Sequence, residues 1–272
     1  MQYIDGLPYK MKAPFDFGFI SQYGRVFKVF DDQDSGNICF GTEKDGEKFF
    51  VKFAGAPTEA YNGTAEEAIV RLKSTLPVYE DLKHQNLIEF VKAENIGGGF
   101  AMIFKWAHGD CMGRNYPAEH HRFMQLSIGE KSIVFCDVLD FLDYVVSKGY
   151  VAIDFYDGSI MYDTRKHRTT ICDIDLFRKR PCVNDMGRMW GSSRFQSPEE
   201  YQLNADIDEV TNVYTAGATA FALFGNYNRT RDVWQLGDAA FHVAVKAVSD
   251  DRKDRYQSIK ELTEAWKLAL NM

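Results

Sequence analysis

The sequence predicts an α+β fold in two parts, a small antiparallel sheet of five strands with one helix, followed by a larger and mainly helical part. Three observations predict it. Strand-like runs broken by turn residues fill the chain up to Trp106, long apolar-periodic stretches follow it, and no repeat or Pro/Ser-rich linker separates the two.

The first strands are GRVFKVF, ICFGTE and EKFFVKF, within Gly24 to Ala54, and Asp45-Gly46 between the last two is a strong hairpin signal. Thr64-Ala65-Glu66-Glu67 then reads as a capping box, in which the threonine and Glu67 satisfy each other's backbone amides, ahead of the periodic stretch AIVRLKSTL. That spacing predicts a helix, stopped or kinked near Pro77 because proline lacks the N–H the helix needs. A second hairpin, NLIEFVKAEN and FAMIFKW, turns at Ile96-Gly97-Gly98-Gly99. Beyond Trp106 the runs SIVFCDVLDFLDYVVSKG, NVYTAGATAFALFG and SIKELTEAWKLAL carry helical periodicity, with short strands expected only near Ser159 to Asp173. The domain reading is a first lobe over 1–104, a hinge over 105–109 and a second lobe over 110–272.

Apolar residues make up 45% of the 272, aromatic ones 14% and charged ones 26%, which suits a protein that closes its own core. A net charge of −7, with Lys and Arg spread along the chain, argues against nucleic acid or an anionic membrane as the main partner. The five cysteines are odd in number and lack metal-ligand spacing, so they read as free thiols of a reducing compartment. No apolar stretch reaches the roughly 18 residues of a membrane span, and the opening MQYIDGLPYKMK has no signal-peptide core, so the expected location is the cytoplasm.

Several short stretches stand in a telling order. Phe50-Val51-Lys52 ends a strand, and His84-Gln85-Asn86-Leu87-Ile88 follows the first helix. LDFLDYVVSKGYV runs into Ala152-Ile153-Asp154, with Ser159, Ile160 and Met161 behind it, and a hairpin leads to Ile171-Cys172-Asp173-Ile174-Asp175. Gly191-Ser192-Ser193-Arg194-Phe195-Gln196-Ser197-Pro198-Glu199 aligns without a gap on the pattern GTxxYxAPE, and Asn212-Val213-Tyr214 and Asp254-Arg255-Tyr256 come later. Together, from about Gly24 to Leu270, they resemble the signature set of the eukaryotic-like serine/threonine protein kinases, in a divergent bacterial-type member or a pseudokinase.

The resemblance implies a bilobal protein-kinase-like fold, ATP and Mg²⁺ as cofactors, and a protein substrate beside the nucleotide as partners. Asp154 would be the catalytic base, Lys52 would neutralise the nucleotide phosphates, and Asp173 with Ser159 would hold metal. Gly36 would approach phosphate, Ile38 and Met161 would enclose the base, and Lys105 and Ala107 would meet it from the hinge, with Phe104 behind. Glu67 would pair with Lys52, although counting back from His84 lands on Thr75, and Arg255 would lock Glu199. The departures are specific. Asp31 and Gln33 replace two glycines of the phosphate loop, Phe50 replaces a small alanine, and Ser159 replaces the metal-binding Asn, for which Asp157 or Asp175 would compensate. Ala152 and Ile153 replace the HRD histidine and arginine, Tyr156 replaces a lysine, and Asn212 replaces an aspartate. Two further readings follow from these departures: a pseudokinase scaffold, and a small-molecule phosphotransferase resembling aminoglycoside or choline kinases.

Overall fold

The computed structural model describes residues 1–271 as an α+β protein in two compact units, one of residues 1–81 with 88–107 and one of residues 82–87 with 108–271. The first unit carries β1 (Gln2–Ile4), β2 (Leu7–Tyr9), β3 (Arg25–Phe30), β4 (Asn37–Lys44), β5 (Glu47–Ala54), α1 (Ala65–Asp81), β6 (Phe90–Ile96) and β7 (Gly99–Lys105). Five of these strands form one antiparallel sheet in the order β3-β4-β5-β7-β6. At the β4–β5 turn Asp45 and Gly46 both have positive φ, 53° and 81°, the backbone that lets a two-residue turn follow the twist of its strands. The β1–β2 hairpin and a 3₁₀ turn at Gly18–Tyr23 were not legible in the pattern; they cover one sheet face with Tyr9, Phe17, Ile20 and Tyr23, packed against Ile38, Phe40, Val51 and Phe53.

Helix α1 begins as the capping box predicts, with the Thr64 amide on Glu67 Oε2 at 2.8 Å and the Glu67 amide on Thr64 Oγ1 at 3.1 Å. It does not stop at Pro77 but runs on to Asp81. Val78 and Tyr79, beyond the proline, are buried, and the Tyr79 ring meets Phe104 edge-on at 4.9 Å. Burying two such side chains is worth about 1.5–3 kcal/mol each, which offsets the roughly 3 kcal/mol a mid-helix proline costs.

The second unit is led by helices α2 (Pro117–Met124), α3 (Ile128–Ser147), α4 (Glu209–Gly225), α5 (Asp238–Ala247) and α6 (Ile259–Ala269). Short strands β8 (Asp110–Cys111), β9 (Tyr150–Val151), β10 (Ile160–Asp163), β11 (Arg168–Ile171), β12 (Arg178–Lys179), β13 (Cys182–Val183) and β14 (Asp206–Ile207) pair in small antiparallel sheets, more widely than the Ser159–Asp173 region alone. Every residue of α4 from Thr211 to Gly225 is buried, the mark of a helix at the centre of its unit. Residues 82–87 belong to this unit through His84 Nε2 against Asp140 Oδ2 at 3.1 Å and Asn86 Nδ2 donating to the Thr169 carbonyl at 3.2 Å. Among the described residues no helix is long and apolar enough to cross a membrane.

Since Pro77 is exposed and lies inside an otherwise regular helix, Pro77→Ala should stabilise the protein by about 1–3 kcal/mol. An unchanged urea midpoint would mean that the helix is already broken there.

Candidate functional site

Cross-strand partners in an antiparallel sheet share a face, and neighbours along a strand take opposite faces. Lys52 pairs with Cys39 and Met102, and Phe50 pairs with Gly41 and Phe104, so all six share one face of the first unit's sheet. Ile38 pairs with Phe53 and lies on the other face, at 0% exposure in the core with Phe17 and Ile20. The register thus corrects the expectation by one residue: Cys39, not Ile38, stands beside Lys52. Lys105 also projects to the far face, its Nζ 2.9 Å from Glu47 Oε2 and above the Phe49 ring, while its amide donates to the Glu89 carbonyl. The Trp106 amide donates to the Lys48 carbonyl, and Ala107, half-buried, closes the unit. Gly36 sits in a turn at φ 83°, where an added Cβ would stand 2.7 Å from the Tyr61 ring and 2.8 Å from Ala68, so both its backbone and its packing require a glycine.

The helix side of the Lys52 face also differs from expectation. Both interactions of Glu67 are the cap bonds to Thr64, so it is a capping residue and not the carboxylate partner of Lys52. Thr75 holds the position the spacing indicates; it is buried, donates to the Leu72 carbonyl at 2.8 Å and lies 3.3 Å from the sulfur of Met102, the cross-strand neighbour of Lys52. Rings crowd the same face. Phe27 meets Trp106 edge-on at 4.9 Å, Phe30 meets Phe50 at 5.7 Å, and a Cβ on Gly41 would lie 2.8 Å from both the Phe27 and Trp106 rings.

In the second unit, Asp154 and Asp173 both adopt left-handed backbone at φ 57°, a region that aspartate enters more readily than most non-glycine residues. Asp154 is half-buried and Asp173 exposed. An added Cβ on Gly191, itself at φ 141°, would stand 3.2 Å from Asp154 Oδ1, so the segment that starts at Gly191 runs against this carboxylate. Burial raises the Tyr156 hydroxyl well above the ordinary tyrosine range, and the charges of Asp173 and then Asp154 raise it further, which puts both acids in the neighbourhood of one phenol.

Asp157, expected as a reserve metal ligand, is otherwise engaged. It is 1% exposed, bound by Arg194 Nη2 at 3.1 Å and by the Tyr227 hydroxyl at 2.7 Å. Ser159 is 0% exposed, its Oγ enclosed without a hydrogen-bond partner and its carbonyl held by the Cys172 amide. No solvent-facing surface lets a hydrated ion reach that hydroxyl, so Ser159 does not fit a metal ligand, whereas the Asp173 side chain is exposed. Among the described residues no three His, Cys, Asp or Glu side chains form a metal cage. Mg²⁺ does not require one, because it keeps waters and takes one or two carboxylates with substrate phosphates. Met161, half-buried on β10, pairs with Thr170 and Cys111, and its sulfur meets Cys172 Sγ at 3.8 Å.

Two buried clamps hold the chain around these acids. Asn212 on α4, 0% exposed, accepts from the Ala152 amide at 2.9 Å and donates to the Ala152 carbonyl at 2.7 Å. An aspartate offers acceptors only, so the amide at this position is what satisfies both groups of Ala152. Arg255 grips Glu199 with two parallel bonds of 2.7 and 2.9 Å, both side chains buried, and Arg252 and Thr211 add bonds of 2.9 and 3.0 Å to Glu199 Oε1. No protein-family model matches the chain, and no curated protein sequence matches it.

Glu199 and its neighbour Glu200 titrate in opposite directions. Burial pushes Glu199 up, but the Arg255 hydrogen bonds and the charges of Arg255 and Arg252 outweigh it, and the net shift is downward. Burial pushes Glu200 up to about 7 against the pull of the Ser197 amide and hydroxyl, at 2.7 and 2.9 Å, with the Glu199 charge adding to the rise.

Replacing Arg255 by Leu leaves Glu199 buried with Arg252 as its remaining cation, and should cost about 3–5 kcal/mol of stability, read from the urea midpoint; a loss below 1 kcal/mol would show that the pair holds nothing. Glu200 has a folded pKa above its unfolded one, so the native state keeps a proton the unfolded chain has lost. Stability is therefore fully present below pH 4.5 and falls as pH rises through 7, by about 3 kcal/mol. Glu199 has the opposite slope, set at pH values below 4.5. Between pH 5 and 8 the midpoint should drop for the parent and stay flat for Glu200→Gln.

Proposed function

We propose that this protein is an ATP- and Mg²⁺-dependent phosphotransferase of the protein-kinase type that acts on serine or threonine hydroxyls. The observation that carries the reading is the pair Asp154 and Asp173, each in left-handed backbone, the first with Gly191 against its Oδ1 and the second exposed. Asp154 would accept the hydrogen bond of the acceptor hydroxyl and orient its oxygen. Gly191, which has no side chain, leaves that hydroxyl room beside Asp154 Oδ1. Asp173 would hold the metal, and bound Mg²⁺ would neutralise phosphate oxygens. Lys52, on the first unit's sheet, is the residue whose charge would neutralise nucleotide phosphate. Tyr156 keeps its proton at neutral pH and so adds no charge beside the two acids. The segment locked by Arg255 and Glu199 supplies a floor for a peptide, which favours a protein substrate over the small acceptors of aminoglycoside- or choline-kinase-like enzymes.

A second reading, a scaffold of pseudokinase type, is favoured by one feature. Phe27, Phe30, Phe50 and Trp106 crowd the Lys52 face at Gly41, where a purine would stack. The two readings part on nucleotide. If the protein is an enzyme, ATP with Mg²⁺ raises its Tm by mass action, and radiolabel passes from γ-labelled ATP to a serine-rich protein, falling at least 100-fold in Asp154→Ala and Asp173→Ala. A flat melting response in the parent, restored by Trp106→Ala, would instead establish the scaffold. Equal labelling by the parent and Asp154→Ala would remove the assigned base.

A further inference from the structure

Two arginines that the proposed chemistry does not use lie against Tyr227 in the second unit, and a third, Arg229, adjoins one of them. The Arg114 guanidinium lies 4.0 Å from the Tyr227 ring centre and the Arg194 guanidinium 5.5 Å from it. Arg229 donates to the Arg194 carbonyl at 3.4 Å and to the Tyr214 hydroxyl at 2.9 Å. The Tyr227 ring is held by its hydroxyl on buried Asp157 at 2.7 Å, with Phe195 edge-on at 6.3 Å. Arg194 is tied to Asp157 through Nη2 alone, and among the described residues Arg114 has no carboxylate partner. Asp157 engages only Arg194 among these arginines, so among the described residues the Arg114 guanidinium carries a positive charge without an acidic partner, on a chain whose net charge is −7. All three guanidinium residues are exposed.

The position of the cluster matters as much as its charge. Asp157 follows Asp154 on the same loop, and Arg194 follows Gly191, which runs against Asp154 Oδ1. We propose that Arg114 and Arg194, presented by the Tyr227 ring, bind acidic side chains flanking the hydroxyl that Asp154 receives, so that the acceptor is an acidic peptide segment. This rests on the phosphotransferase reading for the word acceptor, but not for the binding itself. Guanidinium groups recognise carboxylates with planar, paired hydrogen bonds, and a cation held against an aromatic face has already given up part of its hydration. Like charges held close also leave each arginine better off when an anion arrives.

The test is direct binding to the full chain, without nucleotide, of a fluorescent peptide with one serine flanked by glutamates, beside the same peptide with glutamines. The acidic peptide should bind at least tenfold tighter. That preference should shrink at least threefold in Arg114→Gln, since the Arg114 side chain makes no hydrogen bond among the described residues, and recover in Arg114→Lys at low salt. Equal affinity for the two peptides, no change in Arg114→Gln, or equal affinity for a single-stranded DNA of matched charge would overturn the proposal. Failure of the phosphotransferase is read separately: a preference for the acidic peptide without phosphate transfer keeps this site and removes the enzyme, and transfer to both peptides at the same rate does the reverse.

Discussion

The second unit is organised by one buried ion pair, Arg255 with Glu199. Each charge alone would be costly to bury, and the pair is tolerable only because its geometry is bidentate and Arg252, Thr211 and backbone carbonyls satisfy the remaining positions. That demand fixes several elements at once. The turn Pro198–Tyr201, the first turn of α4 and the chain before α6 must all meet at Glu199, so the segment reaching back to Gly191 has one course open to it. Gln196 continues the order by donating to the Met189 carbonyl at 2.8 Å and accepting from the Tyr201 hydroxyl at 2.9 Å.

From that anchor the acids of the candidate site take their places. Asn212, one residue beyond Thr211 on the same buried helix, holds Ala152 by both backbone groups, and Asp154 follows two residues on. The helix that receives the ion pair therefore also aims the candidate base, with a rigid, fully buried element between them. Glu200 supplies a weak point in the same region, because its burial raises its pKa to about 7 while its neighbour must stay charged.

The departures from the kinase pattern separate into those the fold absorbs and those that alter the chemistry on offer. Asn212 in place of an aspartate is absorbed, since its amide uses both groups of Ala152. Gly36 is kept by packing against Tyr61 and Ala68. Ser159 alters the chemistry: its enclosed hydroxyl leaves Asp173 as the exposed carboxylate at this end of the loop. Thr75 beside Met102 likewise brings a hydroxyl to the helix position where a carboxylate was sought.

By itself the sequence determined what depends on near neighbours and on periodicity. The five-stranded sheet, the Asp45-Gly46 turn, the Thr64–Glu67 cap and the long helices are all legible, because each follows from local backbone preference or periodicity, whereas the pairing of Glu199 with Arg255 came only from the resemblance. Tertiary structure decided the rest. Which face Ile38 takes turns on a one-residue register, whether α1 passes Pro77 turns on the burial of Val78 and Tyr79, and Arg114, Arg194 and Tyr227 meet only after the chain has folded over more than one helix. Such outcomes depend on contacts between distant residues, whose energies no local pattern records.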